Sequence, residues 1–332
     1  MRAWLLPKQE GLEAMRLDEV PDPRPGPGEV LVGVHYASLN PADRYLAENQ
    51  YPARPSFPHV LGRDGVGEVL AIGPGVASHT GGELRLLLSR GTGATKWGTF
   101  AEKVVVPAES LAPVPEGWSE AQAAAGPLAY LTALQALTQW GELPPSVVLV
   151  TGASGGVGVA CLHLGKALGH TLAALSRKPE KAERLKAEGA DVVLSPDDPG
   201  WSKALREKLG GRKVDLAVDH IGGKLLPQVI ESLGMNGKVS LVGRLAGPVP
   251  EFNTATLFFR RLRLGGVALT SWSGAEIREG WARVLELLAR RGARPVVDRV
   301  FPFEQLPAAF RRLAEGPLGK VVLEVRTGRR GV

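Results

Sequence analysis

From residue 147 onward the chain alternates short apolar runs with amphipathic stretches, and a glycine-rich turn splits the first alternation, "VVLVTGASGGVGVACLHLGKALG" (147–169). This pattern limits the possible folds more than any other feature. Short continuous apolar runs suit strands buried on both faces, and strands separated by helices pair in parallel through right-handed crossovers. The segments 147–152, 171–176, 191–196, 214–221, 238–243 and 263–270 read as six such strands. Helical patterns at 157–168, 181–188 and 224–233 lie between them. The expected architecture is α/β, a doubly wound six-stranded parallel sheet of the Rossmann type.

Strand, glycine turn and helix in that order aim backbone N–H groups and a helix N-terminus at a pyrophosphate. Gly155 and Gly158 fill the second and third glycine places of the dinucleotide fingerprint, with Ala153 at the first. Ser154, Gly155, Gly156 and Val157 are therefore the expected pyrophosphate contacts. An NAD site places Asp or Glu at the tip of the second strand, about 20 residues past the turn. Here that tip reads Ser176, Arg177, Lys178, with Lys181 soon after. A carboxylate would repel a 2′-phosphate, whereas a guanidinium grips it through charge-assisted hydrogen bonds. The expected cofactor is NADPH, held chiefly by Ser176 and Arg177 with Lys178 or Lys181 assisting. Gly243 and the "TSW" at 270–272 fall at carboxyl ends of strands, where open α/β sheets bind ligands.

The first part of the chain follows a different rule. "GEVLVGVHYASLN", "DGVGEVLAIGPGV" and "GTFAEKVVVPAESLAPVP" are β-rich and punctuated by Gly and Pro, as in a partly open β-barrel. The 332 residues exceed one ordinary core, so two domains are expected. No apolar run approaches the ~20 residues of a membrane-spanning helix, and "MRAWLLPKQEGLEAM" carries too short an apolar segment for a secretion signal. One cysteine, Cys161, cannot form an internal disulfide, which suits a reducing cytoplasm. The net charge of +6 raises nucleic acid as a partner. Against it, the basic residues are scattered, clustering only at "RRLR" (260–263) and the "RTGRRGV" tail, with no aromatic-basic interleaving.

Several segments together carry a family resemblance: "SLNPADRYLAENQYP", "LGRDGVGEVLAIGPGV", "AGPLAYLTALQAL", the glycine turn, "VDLAVDHIGG" and the closing "GKVVLEV". Over residues 1–325 the chain resembles the medium-chain dehydrogenase/reductase superfamily, in its zinc-free quinone oxidoreductase and enone reductase branch. The resemblance implies a GroES-like catalytic domain from 1–118 and 271–332, with a Rossmann NADP-binding domain at 119–270. "TGASGGVG" also fits short-chain dehydrogenases, but those need Tyr-x-x-x-Lys. None of Tyr36, Tyr45, Tyr51 and Tyr130 has Lys four places on.

The resemblance also implies where chemistry should sit. The zinc-dependent relatives' catalytic cysteine position reads Asn40, and their Gly-His-Glu reads Gly62, Arg63, Asp64; the four-cysteine lobe is absent. With His59 beside an arginine as the nearest histidine, no metal site is expected. Without zinc, alcohol oxidation loses its electrophile, while hydride addition to a quinone or an α,β-unsaturated carbonyl needs less help. The Asn-x-x-Asp-x-Tyr spacing matches the zinc-free branch, and the resemblance implies that Asn40 and Tyr45 lie beside nicotinamide and substrate and that Tyr51 takes the place of the proton-donating tyrosine of enoyl reductases. Asp43 is expected to fix its loop. By the same resemblance Thr132 lies next to the carboxamide, Lys320 is a further cofactor contact, and the edges of two sixth strands pair into a homodimer. Two other readings stay open: an alcohol-dehydrogenase-like enzyme acting on another carbonyl, and a weakly catalytic nucleotide-binding protein of a redox-sensing or RNA-associated kind. The family's usual Gly-Asp-Arg-Val turn is replaced within "SHTGGELRLLLSRGTGATKWG".

Overall fold

The computed structural model describes residues 1–88, 91–247 and 252–326; residues 89–90 of the irregular stretch and the basic tail from 327 lie outside these. The chain forms two compact units. One comprises Met1–Leu128, Ser273–Arg278 and the chain from Arg294; the other comprises Ala129–Trp272 and Glu279–Ala293.

The second unit contains the parallel sheet. Its strands lie in the order Val192–Leu194, Thr171–Leu175, Val147–Val150, Val214–Asp219, Leu233–Leu241, Arg263–Gly266, and every neighbouring pair is parallel. The order reverses direction beside the Val147–Val150 strand, which opens a crevice at the carboxyl ends there. All four residues of that strand are buried, as a strand covered on both faces requires. Trp201 and Leu205 from one helix and Val229 and Ile230 from another pack on Val147, Leu149 and Leu175.

Three elements differ most from the sequence expectation. The fifth strand, expected at 238–243, runs Leu233–Leu241. The sixth strand stops at Gly266, and Leu269–Ser271 is a 3-10 turn. Consecutive glycines give the strand little side-chain surface to pack, and a Cβ on Gly265 would meet the Trp140 ring at 2.8 Å. The second helix begins as a 3-10 turn at Pro179–Lys181 before Ala182–Ala187 continues as α-helix. Proline at the first position supplies a preset φ but no N–H.

The first unit is built on a seven-stranded sheet. Val297–Pro302 pairs with Lys320–Glu324 in parallel; antiparallel pairing then runs through Glu29–Ser38, Asp64–Ile72, Leu84–Leu87 and Leu111–Pro113. Lys103–Pro107 also pairs with Glu29–Ser38. The end strands Val297–Pro302 and Leu111–Pro113 do not pair with each other among the described residues, so the barrel is partly open. A smaller sheet joins Arg16–Glu19, Arg2–Leu6 and His59–Val60. The core gathers Trp4, Val30, Val32, Phe100, Phe303 and Phe310, and Trp4 Nε1 donates to the Phe303 carbonyl at 3.0 Å. Residues from both ends of the sequence thus close one core.

Candidate active site

In the parallel-sheet unit the candidate site is mostly backbone. The Val147–Val150 strand leads through Gly152, at φ 56°, to the helix Gly156–Ala167, which Gly155 caps. A Cβ on Gly158 would stand 2.6 Å from the carbonyl oxygens of both Gly152 and Ala153, so the third glycine lets the helix start tightly against the strand end. A Cβ on Gly155 would meet only the Gly152 oxygen, at 3.4 Å. The second glycine therefore relieves no crowding within the protein. The space it leaves, over first-turn N–H groups that no helix carbonyl can satisfy, fits a pyrophosphate.

The strand tip lies at the same corner. Ser176 is buried, and its Oγ accepts the Lys178 N–H at 3.3 Å; Arg177 is exposed; Lys181 Nζ donates to Ser154 Oγ at 3.4 Å. One hydrogen bond thus joins a cation expected to reach a 2′-phosphate to the glycine turn. Asp219, at the end of Val214–Asp219, accepts from Thr151 Oγ1 at 2.6 Å and from the Gly222 N–H at 2.9 Å, which shapes the crevice wall. Next to it, His220 Nδ1 lies 2.7 Å from the Thr151 carbonyl oxygen and must be the protonated nitrogen. Its Nε2 is a buried acceptor with no partner among the described residues, and burial lowers the ring's pKa. Gly243 is half-buried, and a Cβ there would meet the His220 carbonyl oxygen at 2.9 Å. Thr132 is half-buried on the Pro127–Thr138 helix. Cys161 is core packing, and burial raises its thiol pKa.

In the barrel unit the candidate site is a cluster of buried charges. Asn40 precedes the helix Pro41–Ala47, and its backbone N–H is held by the Asp43 carboxylate at 2.8 Å. That arrangement leaves the Asn40 side chain available. Its Nδ2 donates to Asp64 Oδ2 at 2.9 Å, and its Oδ1 accepts from Lys320 Nζ at 2.6 Å. Lys320 Nζ also donates to the Leu39 carbonyl at 2.9 Å and lies 3.5 Å from Asp64 Oδ2. Asp64 further accepts from Ser38 Oγ at 3.2 Å and from the Leu128 N–H at 3.0 Å. Burial lowers the Lys320 pKa despite the neighbouring carboxylates. Burial likewise pushes Asp43 up to about 6, against the opposing pull of the Arg63 guanidinium and the Asn40 N–H.

Arg63 connects this cluster to Tyr51. Its Nη1 donates to Tyr51 Oη at 2.9 Å, and its Cζ lies 4.2 Å from the Tyr51 ring centroid. Because the phenol oxygen accepts here, the phenolic proton remains available for another acceptor. Arg63 Nε lies 3.8 Å from Asp43 Oδ1, an ion pair without a hydrogen bond. Tyr45 is half-buried on the same helix as Asp43. His59 is buried against Phe57, edge to face, and burial lowers its pKa.

The structure thus brings Asn40, Lys320 and Tyr51 into one contiguous network through Asp64, Asp43 and Arg63. Within the parallel-sheet unit it joins Ser154 to Lys181. Sequence reasoning missed two residues: Arg63, read only as a departure from a zinc pattern, and His220. A charged pair at Arg63–Asp64 inside the otherwise uncharged 60–67 run was the available signal for the first. Among the described residues no group of three or more His, Cys, Asp or Glu could hold a metal ion, and no helix is long and apolar enough to cross a membrane.

Both units match known families. Residues 26–116 match the alcohol dehydrogenase GroES-like domain and residues 156–290 the zinc-binding dehydrogenase family. The chain is an oxidoreductase of the medium-chain dehydrogenase/reductase superfamily, with a GroES-like barrel and a Rossmann sheet. Within that superfamily it belongs to the quinone oxidoreductase branch. It is 27% identical to the quinone oxidoreductase of Rattus norvegicus over 328 residues, 97% of each chain. A solved NAD-dependent alcohol dehydrogenase superposes with a TM-score of 0.90 at 32% identity, covering 98% of this chain and 100% of that one. The native structure of mycobacterial Rv1454c complexed with NADPH gives 0.88 at 28% identity, with the same coverage.

Proposed function

We propose that this chain is an NADPH-dependent reductase that adds hydride to quinones or α,β-unsaturated carbonyls without zinc. The observation that carries the reading is the Lys320 ammonium. It lies 2.6 Å from Asn40 Oδ1 and 3.5 Å from Asp64 Oδ2, two of the three side chains at the expected zinc-ligand positions. The third position is Arg63, a second cation. A divalent ion does not fit a corner whose acceptors already hold an ammonium. The reaction then has to be one that needs no metal-polarised alcohol.

When bound, NADPH supplies a hydride. The rest is the work of this chain's residues. Ser154, Gly155, Gly156 and Val157 offer N–H groups to the pyrophosphate, Ser176, Arg177 and Lys181 take the 2′-phosphate, and Thr132 and Gly243 border the nicotinamide half. Asn40 and Tyr45 position nicotinamide and acceptor, with Lys320 holding Asn40 in its rotamer. Tyr51 offers a proton to the reduced acceptor. The NADPH complex of Rv1454c and the rat quinone oxidoreductase support this reading as relatives. We also propose a homodimer in the cytoplasm. The Arg263–Gly266 strand pairs on one side only among the described residues, and Phe258 and Phe259 beside it are 63% and 72% exposed.

The test is NADPH and NADH consumption over a panel of quinones, enals and simple carbonyls, with metal analysis of the same sample. Turnover of quinones or enones with NADPH, at substoichiometric zinc, is expected. Alcohol oxidation with NAD that is lost to chelators would overturn the reading. Tight NADPH binding without turnover of any acceptor would favour a nucleotide-binding role instead.

A further inference from the structure

Arg63 is a buried cation, 5% exposed, with one hydrogen bond among the described residues: Nη1 donates to Tyr51 Oη at 2.9 Å. Its other edge is closed. Nε and Nη2 are buried there without an acceptor, and the wholly buried Asp43 carboxylate lies 3.8 Å from Nε. Asp43 balances the charge of Arg63, though burying such a pair is costly in itself. A guanidinium sealed in this way reaches chemistry only through the group that Nη1 holds. That group is Tyr51, which is half-buried. Two contacts define the junction. Besides the hydrogen bond, Arg63 Cζ lies over the Tyr51 ring, 4.2 Å from its centroid. Arginine offers no acceptor, so the Tyr51 O–H must point away from it. Both contacts strengthen when the phenol becomes a phenolate, because a charged oxygen accepts more strongly and the ring becomes richer in electrons.

We propose that Arg63 is a positioning residue for proton transfer: it turns the Tyr51 hydroxyl outward and stabilises the phenolate left when Tyr51 gives its proton to the reduced acceptor. The inference rests on the reductase reading above and deepens it. In the balanced step, the acceptor takes a hydride from NADPH, which becomes NADP⁺, and turns into an enolate or a hydroquinone anion. The Tyr51 O–H bond breaks as a new bond to hydrogen forms at the enolate α-carbon or the hydroquinone oxygen. The electron pair of the broken bond stays on Tyr51 Oη, 2.9 Å from Arg63 Nη1, and water returns the proton. The acceptor meets Tyr51 alone, and Arg63 never touches it. Since Asp43 already balances Arg63, the phenolate is the one new charge here, and the cation that faces it is in place before it forms.

An arginine that acts through Tyr51 differs from a structural one in a double-mutant cycle. The cycle compares wild type, R63M, Y51F and Y51F/R63M, at enzyme concentrations high enough to measure the slowest of them. The acceptor is the better of 2-cyclohexenone and 1,4-benzoquinone. With Tyr51 present, Arg63→Met should lower kcat about tenfold to a hundredfold, the scale of a hydrogen bond to a charged group. The KM for NADPH should stay unchanged and the solvent deuterium isotope effect on kcat should rise. In the Tyr51→Phe background the same substitution should lower kcat less than about twofold, because the group it serves is gone. Arg63→Lys, which keeps the charge, should recover part of the loss. If Arg63→Met fails to fold, D43N/R63M removes both buried charges together and takes its place in the cycle. Equal losses in the two backgrounds would overturn the proposal and mark a structural guanidinium. So would wild-type kcat in Arg63→Met or in Tyr51→Phe, with the reductase reading left standing. Absence of turnover by the wild type on every acceptor would instead defeat that reading, and the proposal with it.

Discussion

In the parallel-sheet unit the candidate site is made mostly of backbone, and in the barrel unit of buried side chains. The glycine turn offers N–H groups whose direction follows from a strand, a φ of 56° at Gly152 and a helix start, all within a dozen residues. The barrel site is assembled from the ends of three strands and the start of a short helix. Its members lie as far apart as Leu39 and Lys320, which are joined by a 2.9 Å hydrogen bond. Backbone donors are neutral and cost little to hold. A cluster of two carboxylates and two cations, each nearly or wholly buried, is stable only if the partners stay together. The barrel site should therefore be the fragile one, sensitive to charge and pH, and the glycine turn sensitive to shape.

The strongest way to break this comparison is Asp64→Ala. It removes the acceptor for Ser38, Asn40 and the Leu128 N–H and strands the Lys320 ammonium. We expect a loss of about 3–5 kcal/mol of stability in denaturant unfolding. A loss under about 1 kcal/mol, the scale of an exposed ion pair, would show the cluster to be well hydrated.

Next is pH. Asp43 is raised to about 6 in the folded protein, above the ~3.9 of an unfolded chain. Between these values the folded state holds a proton that the unfolded state has released, so stability falls as pH rises. Relative to Asp43→Asn, wild type should lose stability as pH climbs from about 4 to about 6 and hold level above, by no more than about 3 kcal/mol. Parallel pH curves for the two proteins would contradict this.

The glycines sharpen the other half. Gly158→Ala puts a Cβ 2.6 Å from two carbonyl oxygens and should destabilise by about 1–3 kcal/mol. Gly155→Ala meets nothing closer than 3.4 Å, so its melting temperature should hold while NADPH affinity drops. Equal stability losses in the two variants would remove the ligand reading of Gly155.

The smallest effect belongs to an exposed side chain. Arg177→Ala should weaken NADPH by at most a few kcal/mol while barely changing NADH, read as paired dissociation constants. Equal wild-type affinity for the two nucleotides would remove the phosphate reading of the strand tip.

The two sites were not equally legible. The alternation from 147 onward and the spacing of Gly155 and Gly158 are local signals, so sheet type and cradle could be read from one stretch of chain. The strand tip at Ser176 and Arg177 is equally local, since an acid or a base there faces the same corner. Arg63 was visible only as an arginine where a histidine stands in zinc-dependent relatives. Nothing in its neighbourhood along the chain points to Tyr51, twelve residues earlier, as its hydrogen-bond partner. The sixth strand looked longer than it is because an apolar run, 264–269, continues past Gly266. Hydrophobic pattern does not record that Trp140 covers Gly265.

Taken alone, the order of residues determined the parallel sheet, the β-rich half before it and the glycine turn that opens the first crossover helix. Each follows from periodicity or from spacing within one turn, where neighbours in sequence are neighbours in space. Tertiary structure alone decided that Lys320, from the end of the chain, stands among Leu39, Asn40 and Asp64. It also decided that Arg63 keeps one edge unpaired while Asp43 is pushed up to about 6. Burial and pairing of charges depend on distances between strands, and no one-dimensional pattern encodes those distances.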